Sequence, residues 1–182
     1  AGDDVVVNSS TFTSNKGKGK KTADGGSGGA IYIDGEGATI LGSDFISDYA
    51  VRYGGAIAVW GANANITSNT FKDCTVDIND GCAIFVKGLN TTISDSNFSK
   101  SIAKAGNGGA IGVQGDDAHI LDCNFTECKA SSTTSRGGAI DIEGHRTLVS
   151  DSIFEGCYAH DGGDIYVFGN NVKMQDSQFD SS

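Results

Sequence analysis

Residues 137–144 read GGAIDIEG, and a lightly varied copy of this phrase recurs along the whole chain. Each copy begins with a glycine, ends with a glycine and places an isoleucine at its centre, followed two positions later by isoleucine or valine. The other copies are GGAIYIDG at 28–35, GGAIAVWG at 54–61, GCAIFVKG at 81–88, GGAIGVQG at 108–115 and GGDIYVFG at 162–169. The chain is therefore a repeat protein, and its fold and function have to be derived from the repeat.

The residues between the copies keep a fixed spacing. A phenylalanine follows each phrase-closing glycine by ten residues, and an apolar residue follows it by five. The phenylalanines are Phe12, Phe45, Phe71, Phe98, Phe125, Phe154 and Phe179, and the apolar residues are Val7, Ile40, Ile66, Ile93, Ile120, Val149 and Met174. Within the phrase, apolar and variable residues alternate, which is the period of a strand with one buried face. Each repeat thus predicts three short strands separated by corners.

Three strands in a turn of roughly 27 residues indicate an all-β fold, a right-handed parallel β-helix of about six turns. We expect one domain over residues 1–182, with no capping helix. Its turns are predicted to start near Gly2, Gly28, Gly54, Gly81, Gly108, Gly137 and Gly162. The alternative all-β repeat fold, a β-propeller, needs four antiparallel strands and a longer repeat for each blade.

Composition limits the classes of partner. The chain of 182 residues carries a net charge of −10, which disfavours binding to nucleic acid, and no apolar run is long enough to span a membrane. The insertions between repeats fall at one corner, and the longest of them holds Lys16, Lys18, Lys20 and Lys21. This basic loop is expected to be solvated; the alternative is an electrostatic contact with an acidic neighbour.

Two features favour secretion. The chain contains five Asn-x-Ser/Thr sequences, which are candidate glycosylation sites at Asn8, Asn65, Asn90, Asn97 and Asn124. It also contains five cysteines. Cys128 and Cys157 occupy equivalent positions in adjacent repeats, and Cys74 and Cys82 flank one corner, so each pair is a disulfide candidate. If both disulfides form, Cys123 is left as an unpaired thiol. The alternative is that all five cysteines are buried free thiols.

The Gly-Gly-Ala-Ile phrase, combined with Phe-x-x-Asn at Phe12 to Asn15 and with Phe-x-x-Cys after Phe71, Phe125 and Phe154, resembles known repeats. It is similar to the repeats of adhesin-like surface proteins of methanogenic archaea and of the polymorphic outer-membrane proteins of chlamydiae. The resemblance covers essentially the whole chain. It implies an extracellular right-handed β-helix that serves surface attachment or cell-envelope structure, here without the barrel domain of the bacterial proteins.

Four acidic residues occupy the same position of successive repeats, so they would lie in one column along the β-helix and are candidate metal ligands. The residues seven positions after the phrase-closing glycine in four successive repeats are Asp95, Asp122, Asp151 and Asp176. Stacked carboxylates repel each other unless a cation lies between them, so calcium is a hypothesis for this column. The alternative is that aspartate suits the corner through bonds from its side chain to the backbone. No other cofactor is expected.

The residues at the variable positions of the phrase are predicted to point outward and to form one face of the helix. Its aromatic residues are Tyr32, Trp60, Phe85, Tyr166 and Phe168, and a stripe of this kind can stack on sugar rings or pack against a partner protein. An enzyme that cleaves polysaccharides would need paired carboxylates on such a face. The nearest approach to that arrangement is Asp141 and Glu143, with His145 and Arg146 close in sequence.

The chain opens and closes in the middle of a repeat, which predicts uncapped ends lined by Val5, Val7, Phe12, Met174 and Phe179. Either the chain is a piece of a longer array, or copies stack head to tail as a filament. We therefore expect a non-enzymatic, adhesin-like protein of the cell surface that associates with itself and also contacts surface glycans. The alternative function is a β-helix that binds or cleaves polysaccharides.

Overall fold

The computed structural model of the chain describes residues 2–19 and 25–180. These residues form 25 short strands, numbered here in chain order, which assemble into four parallel sheets that run along one axis. Within the described residues no α-helix is present. The all-β parallel β-helix predicted from the repeat is therefore confirmed.

The turns of the helix visit the four sheets in the same order, except that after the strand Ile153–Glu155 only the isolated bridge of Tyr158 with Lys129 continues the fourth sheet. Sheet 1 contains the strands that start in the repeated phrase: β4 (Ile31–Ile33), β8 (Ile57–Val59), β12 (Ile84–Val86), β16 (Ile111–Val113), β20 (Ile140–Ile142) and β23 (Ile165–Val167). Sheet 2 contains β1 (Val6–Asn8), β5 (Thr39–Leu41), β9 (Asn65–Thr67), β13 (Thr92–Ser94), β17 (His119–Leu121), β21 (Leu148–Ser150) and β24 (Lys173–Gln175).

The remaining two sheets complete the turn. Sheet 3 contains β2 (Thr11–Thr13), β6 (Asp44–Ile46), β10 (Thr70–Lys72), β14 (Asn97–Ser99), β18 (Asn124–Thr126), β22 (Ile153–Glu155) and β25 (Gln178–Asp180). Sheet 4 contains β3 (Lys16–Gly17), β7 (Tyr49–Ala50), β11 (Thr75–Ile78), β15 (Ile102–Ala105) and β19 (Lys129–Ala130). The third strand predicted for each repeat is thus divided between sheets 3 and 4.

That division has a local cause. The residue two positions after the phenylalanine of sheet 3 adopts a left-handed backbone in the turns from Phe12 to Phe154, for example with φ of 56° at Ser47, 55° at Asp73 and 53° at Lys100. Left-handed residues cannot continue a strand, so the chain bends there. The first glycine of each phrase makes a second left-handed corner, for example φ 60° at Gly108, where a residue without Cβ avoids the steric penalty.

The core repeats the same residue in the same register from turn to turn. Phe71 pairs with Phe45 on one side and with Phe98 on the other, and Ile84 pairs with Ile57 and Ile111. The phenylalanine rings form one continuous stack from the first described turn to the last, with neighbouring centroids 4.7 to 4.9 Å apart and planes within 8° of parallel. Each stacked pair is worth about 0.5 to 1.5 kcal/mol beyond the burial of its apolar area.

The two outer turns of the described chain lack a neighbour on one side. Val5, Met174 and Phe179 are 42%, 49% and 47% exposed, while Val7 and Phe12 are half-buried. By contrast, the equivalent residues of the central turns are buried, for example Ile66 and Phe71. Within the described residues, the apolar side chains of the outermost turns are thus more exposed than their equivalents in the central turns, and their role as end contacts stays a prediction.

The long basic loop is described only in part. Lys16 starts β3 and is exposed, as is Lys18, whereas Lys20 and Lys21 lie outside the described residues. The interpretation of this loop as a contact site stays a prediction.

The second residue of the phrase is glycine in every copy except the one with Cys82, and the close packing between turns that favours glycine can be tested at Gly138. A Cβ added at Gly138 would overlap the carbonyl oxygen of Gly163 in the next turn. The equivalent position Gly163 is open, because its nearest atom is the carbonyl oxygen of Cys157 at 3.9 Å. We expect Gly138→Ala to destabilise the fold by about 1 to 3 kcal/mol and Gly163→Ala to have an effect within about 0.5 kcal/mol.

Urea unfolding of the two variants beside the unmodified chain gives both values. Equal losses of stability in the two variants would contradict the role of close packing between turns, because both substitutions add the same methyl group at the same position of the repeat.

Candidate functional site

The outward face of sheet 1 differs from the other faces because a loop folds back over it. In the central strands the outward residues nearest the start are buried, although they do not belong to the hydrophobic core: Ala58, Phe85 and Asp141 are at most 1% exposed. At Gly112 a Cβ would lie 2.8 Å from the backbone nitrogen of Gly81 and 2.9 Å from the Cβ of Asp80. The end of the loop that precedes β12 therefore covers the outward face of β16 in the next turn.

The covering residues come from one position of the repeat. They directly precede the first glycine of the last five copies of the phrase, and we call them the cover column: Tyr53, Asp80, Asn107, Arg136 and Asp161. Neighbours in this column are linked along the axis. The backbone N–H of Asn107 donates to Asp80 Oδ1 at 3.1 Å, and the backbone N–H of Arg136 donates to Asn107 Oδ1 at 3.0 Å. These bonds hold the loop ends in register with the strands.

The expectation of a fully exposed aromatic stripe is wrong at Phe85. The ring of Tyr53 lies 4.2 Å from that of Phe85, and Trp60 lies 5.2 Å away on the other side, so Phe85 is 1% exposed. Tyr32, which is 53% exposed, stacks on the half-buried Trp60 at 5.1 Å. The structure thus gathers Tyr32, Tyr53, Trp60 and Phe85 into one cluster, in which Phe85 supports the other rings from below.

The two remaining aromatic candidates lie at the other end of the face. Tyr166 is half-buried, because the guanidinium of Arg136 covers its ring at 5.0 Å. Phe168 is 71% exposed and forms one end of a groove. The structure therefore separates the predicted stripe into two groups, with a polar stretch of sheet 1 between them.

This groove follows the uncovered half of the face. Its volume is about 840 Å³. Its floor is formed by the last outward residue of four consecutive strands, and its walls are formed by Arg136 on one side and by the corners after the strands on the other. The lining residues are Lys87, Leu89, Gln114, Gly115, Asp116, Arg136, Glu143, His145 and Phe168. Cationic, anionic and amide groups alternate along it, and an aromatic ring closes one end.

Several polar groups of the groove are fixed in position. Gln114 Nε2 donates to Glu143 Oε2 at 3.1 Å. His145 Nδ1 accepts the backbone N–H of Asn170 at 2.9 Å, so in the neutral imidazole the hydrogen is on Nε2. Asp116 Oδ1 accepts the backbone N–H of His145 at 2.8 Å. The groove therefore presents oriented donors and acceptors rather than freely moving side chains.

Asp141 lies below the groove and is unusual in its surroundings. It is 1% exposed, and its buried Oδ1 has no hydrogen-bond partner among the described residues. Burial, with contributions from the negative charges of Asp80 and Glu143, raises the pKa of Asp141 to about 8, although Arg136 acts in the opposite direction. The carboxyl group is thus protonated at neutral pH, which avoids the cost of an unpaired buried charge.

The cluster predicted around Asp141 and Glu143 is rearranged in the structure. Arg146 does not approach Asp141; it donates to Asp117 Oδ1 at 2.7 Å and to Asp116 Oδ2 at 3.1 Å. The backbone N–H of His145, together with Arg146, lowers the pKa of Asp116, and the contact with Arg146 lowers the pKa of Asp117. Arg136 and Asp80, which the sequence reasoning missed, are the charged groups beside Asp141. Their shared position before the phrase glycine is the signal that could have identified them.

The candidate calcium column consists of exposed corner residues. Asp95, Asp122, Asp151 and Asp176 all have left-handed backbones, with φ between 50° and 52°. Aspartate is one of the few residues with a side chain that tolerates this conformation. Among residues 2–19 and 25–180, no group of three or more His, Cys, Asp or Glu side chains is placed to hold a metal ion. The corner geometry accounts for this column without a cation.

The five cysteines are free thiols. Cys74, Cys82, Cys123 and Cys128 are buried, and Cys157 is half-buried. Cys82 Sγ donates to the carbonyl oxygen of Cys74 at 2.8 Å, so this pair is in contact through the backbone of Cys74. Cys128 and Cys157 lie at equivalent positions of adjacent turns, where the backbone N–H of Tyr158 donates to Cys128 O at 3.0 Å.

The candidate glycosylation sites all present exposed side chains, at Asn8, Asn65, Asn90, Asn97 and Asn124. Two of them are neighbours on sheet 3, where Asn124 Nδ2 donates to Asn97 Oδ1 at 3.0 Å. Glycosylation of these residues stays a prediction.

The protonated state of Asp141 predicts how stability changes with pH. In the unfolded chain this carboxyl loses its proton near pH 4, but in the folded chain it keeps the proton up to about pH 8. The folded state is therefore penalised progressively as the pH rises between these values, by up to about 5 kcal/mol. Asp141→Asn removes the penalty, so the variant should lose less stability than the unmodified chain between pH 5 and pH 9.

Urea unfolding at the two pH values measures the difference. Asp44→Asn is the matched control, because Asp44 is an exposed carboxylate on sheet 3 and the chemical substitution is the same. If the unmodified chain, Asp141→Asn and Asp44→Asn all respond equally to pH, Asp141 does not hold the proton.

The described part of the chain has no helix that is long and apolar enough to cross a membrane. In comparisons with protein-family models, with curated proteins and with solved structures, no match to this chain was found.

Proposed function

We propose that this chain is a non-enzymatic, adhesin-like protein of the extracellular surface that binds a polysaccharide along the outward face of sheet 1. The observation that carries the proposal is the groove of about 840 Å³ whose polar floor ends at the exposed ring of Phe168. A volume of this size is typical of ligand sites in proteins.

The chemistry of the lining suits a sugar. Sugar hydroxyl groups both donate and accept hydrogen bonds, and the groove offers donors at Lys87 and His145 and acceptors at Glu143. The apolar face of a sugar ring can pack on an aromatic side chain, and Phe168 at one end supplies such a surface. The Tyr32 and Trp60 pair lies on the same sheet beyond Lys87 and extends the face toward the first turns.

The positions of the carboxylates support binding rather than cleavage. Glycoside hydrolysis needs two carboxyl groups that both reach the scissile bond, one of them protonated. Asp141 is the protonated carboxyl of this region, but it is 1% exposed beneath the cover column. Glu143 and Asp116 line the groove, and each accepts a hydrogen bond from a neighbouring protein group.

The extracellular assignment is supported by the five exposed Asn-x-Ser/Thr asparagines and by the excess of acidic residues. These features are compatible with a surface that faces solvent and carries glycans.

A binding experiment tests the groove. The purified chain is first screened on a glycan array, and the tightest ligand is then titrated against Phe168→Ala. We expect roughly a ten-fold loss of affinity, equivalent to about 1.4 kcal/mol. Tyr158→Ala is the matched control, since Tyr158 is a 60% exposed aromatic residue outside the groove and should leave the affinity unchanged.

Equal affinity of the unmodified chain and Phe168→Ala would show that the groove is not the binding site. If the polysaccharide became shorter during the titration, the chain would be an enzyme that cleaves polysaccharides rather than a binding protein.

The apolar end faces support a second proposal, end-to-end association of copies of this chain. Phe12 and Phe179 each stack on one ring only among the described residues, and the strands beside them expose Val5 and Met174. A turn of a second copy could continue both the phenylalanine stack and the backbone ladders at such a face.

Sedimentation velocity over a range of concentrations tests the association. We expect the unmodified chain to form larger species as the concentration rises, and we expect a double variant, Val5→Lys with Met174→Lys, to stay monomeric because charge would be buried at each contact. Ile153→Lys is the control, because Ile153 is 41% exposed on the side of the helix. A monomeric unmodified chain at all concentrations would contradict the proposal.

A further inference from the structure

Cys128 and Cys157 occupy the same position in consecutive turns, directly before the strands of sheet 4. The register there is defined by a parallel bridge between Lys129 and Tyr158, by the backbone N–H of Tyr158 donating to Cys128 O at 3.0 Å, and by that of Ala130 donating to Tyr158 O at 2.9 Å. Paired parallel strands are about 4.8 Å apart, which lies within the Cα separations that a disulfide can span.

The two thiols differ in access to solvent. Cys128 is fully buried, and its Sγ lies 3.7 Å from the carbonyl oxygens of Phe98 and Thr126. Cys157 is half-buried, so it is the more accessible residue of the pair. Cys157 Sγ lies 3.7 Å from the carbonyl oxygen of Phe125 and 3.8 Å from that of Glu155, and the parallel bridge between Lys129 and Tyr158 sets the two cysteines side by side.

The closeness of the two thiols also makes them unequal in reactivity. The neighbouring Cys128 thiol lowers the pKa of Cys157, while burial and the negative charge of Asp164 act against this effect. The neighbouring Cys157 raises the pKa of the Cys128 thiol, with burial as the second cause. Cys157 is therefore the better nucleophile at neutral pH, since the thiolate is the attacking species.

We propose that Cys128 and Cys157 form a redox-active dithiol that small-molecule disulfides convert to a cross-strand disulfide, with Cys157 as the attacking residue and Cys128 as the resolving residue.

The exchange is balanced with oxidised glutathione as the oxidant. The Cys157 thiolate attacks one sulfur of the glutathione disulfide, so a mixed disulfide forms and one glutathione thiolate leaves. Cys128 then gives its proton to that thiolate and attacks Cys157 Sγ, and the second glutathione thiolate leaves and takes a proton from solvent. Two protein thiols are oxidised, and one molecule of glutathione disulfide is reduced to two molecules of glutathione.

The other three cysteines do not share this arrangement. Burial raises the pKa of Cys74 and of Cys123 to about 12, and it also raises the pKa of Cys82. Cys82 directs its sulfur to the backbone of Cys74, and Cys123 directs its sulfur to the carbonyl oxygens of Leu121 and Ile93. These thiols should therefore stay reduced under mild conditions.

The test is thiol counting by mass spectrometry on the folded, fully reduced chain after incubation with oxidised glutathione. We expect the five free thiols to fall to three, with a product two hydrogen atoms lighter and a cross-linked peptide pair that contains Cys128 and Cys157. This measurement uses the unmodified chain, so it does not depend on whether a variant folds.

Three variants assign the roles. Cys157→Ser should retain all its remaining thiols, Cys128→Ser should stop at glutathione bound to Cys157, and the control Cys123→Ser should form the same cross-link as the unmodified chain. The proposal would be overturned if the unmodified chain kept five thiols, if it stopped at the glutathione adduct, or if the cross-link joined Cys74 to Cys82.

Discussion

Every turn of this molecule depends on the backbone hydrogen bonds that it exchanges with the turns above and below. The ladders are parallel and in register on all four sheets, so the same residue of each repeat meets its own equivalent. One isolated turn could not bury enough apolar surface to offset the loss of backbone entropy, which is about 1 to 2 kcal/mol for each residue. The fold is therefore stable only as a stack, and the fixed spacings of the sequence are the condition for stacking.

This condition explains why the architecture could be predicted from the sequence alone. The glycine, the apolar residue five positions later and the phenylalanine ten positions later mark the inside of the helix directly. In the structure Gly61, Ile66 and Phe71 are all buried. The division of the third strand was not visible, because the left-handed residue that causes it is Ser, Asp, Lys or Glu in different turns and so leaves no single residue signature.

The candidate site was harder to predict for a different reason. Alternation within a strand shows which side chains point outward, but it does not show whether another segment lies over them. Phe85 and Asp141 were expected on the surface and are buried, because loops of different lengths all end with a residue laid across sheet 1. The cover column is chemically mixed, so its common role becomes visible only in three dimensions, where Arg136 rather than Arg146 neighbours Asp141.

The fixed ends of these loops determine which parts of the chain can vary in length. Each loop leaves sheet 4 and returns at a fixed residue before the phrase glycine, whatever its length, so residues can be added or removed between these points without shifting any ladder. The repeats, which supply the groove residues other than Arg136, and the loops of variable length are in this sense separate parts of the sequence. Loops grafted between turns should thus add new surface beside the groove while the stack keeps its register.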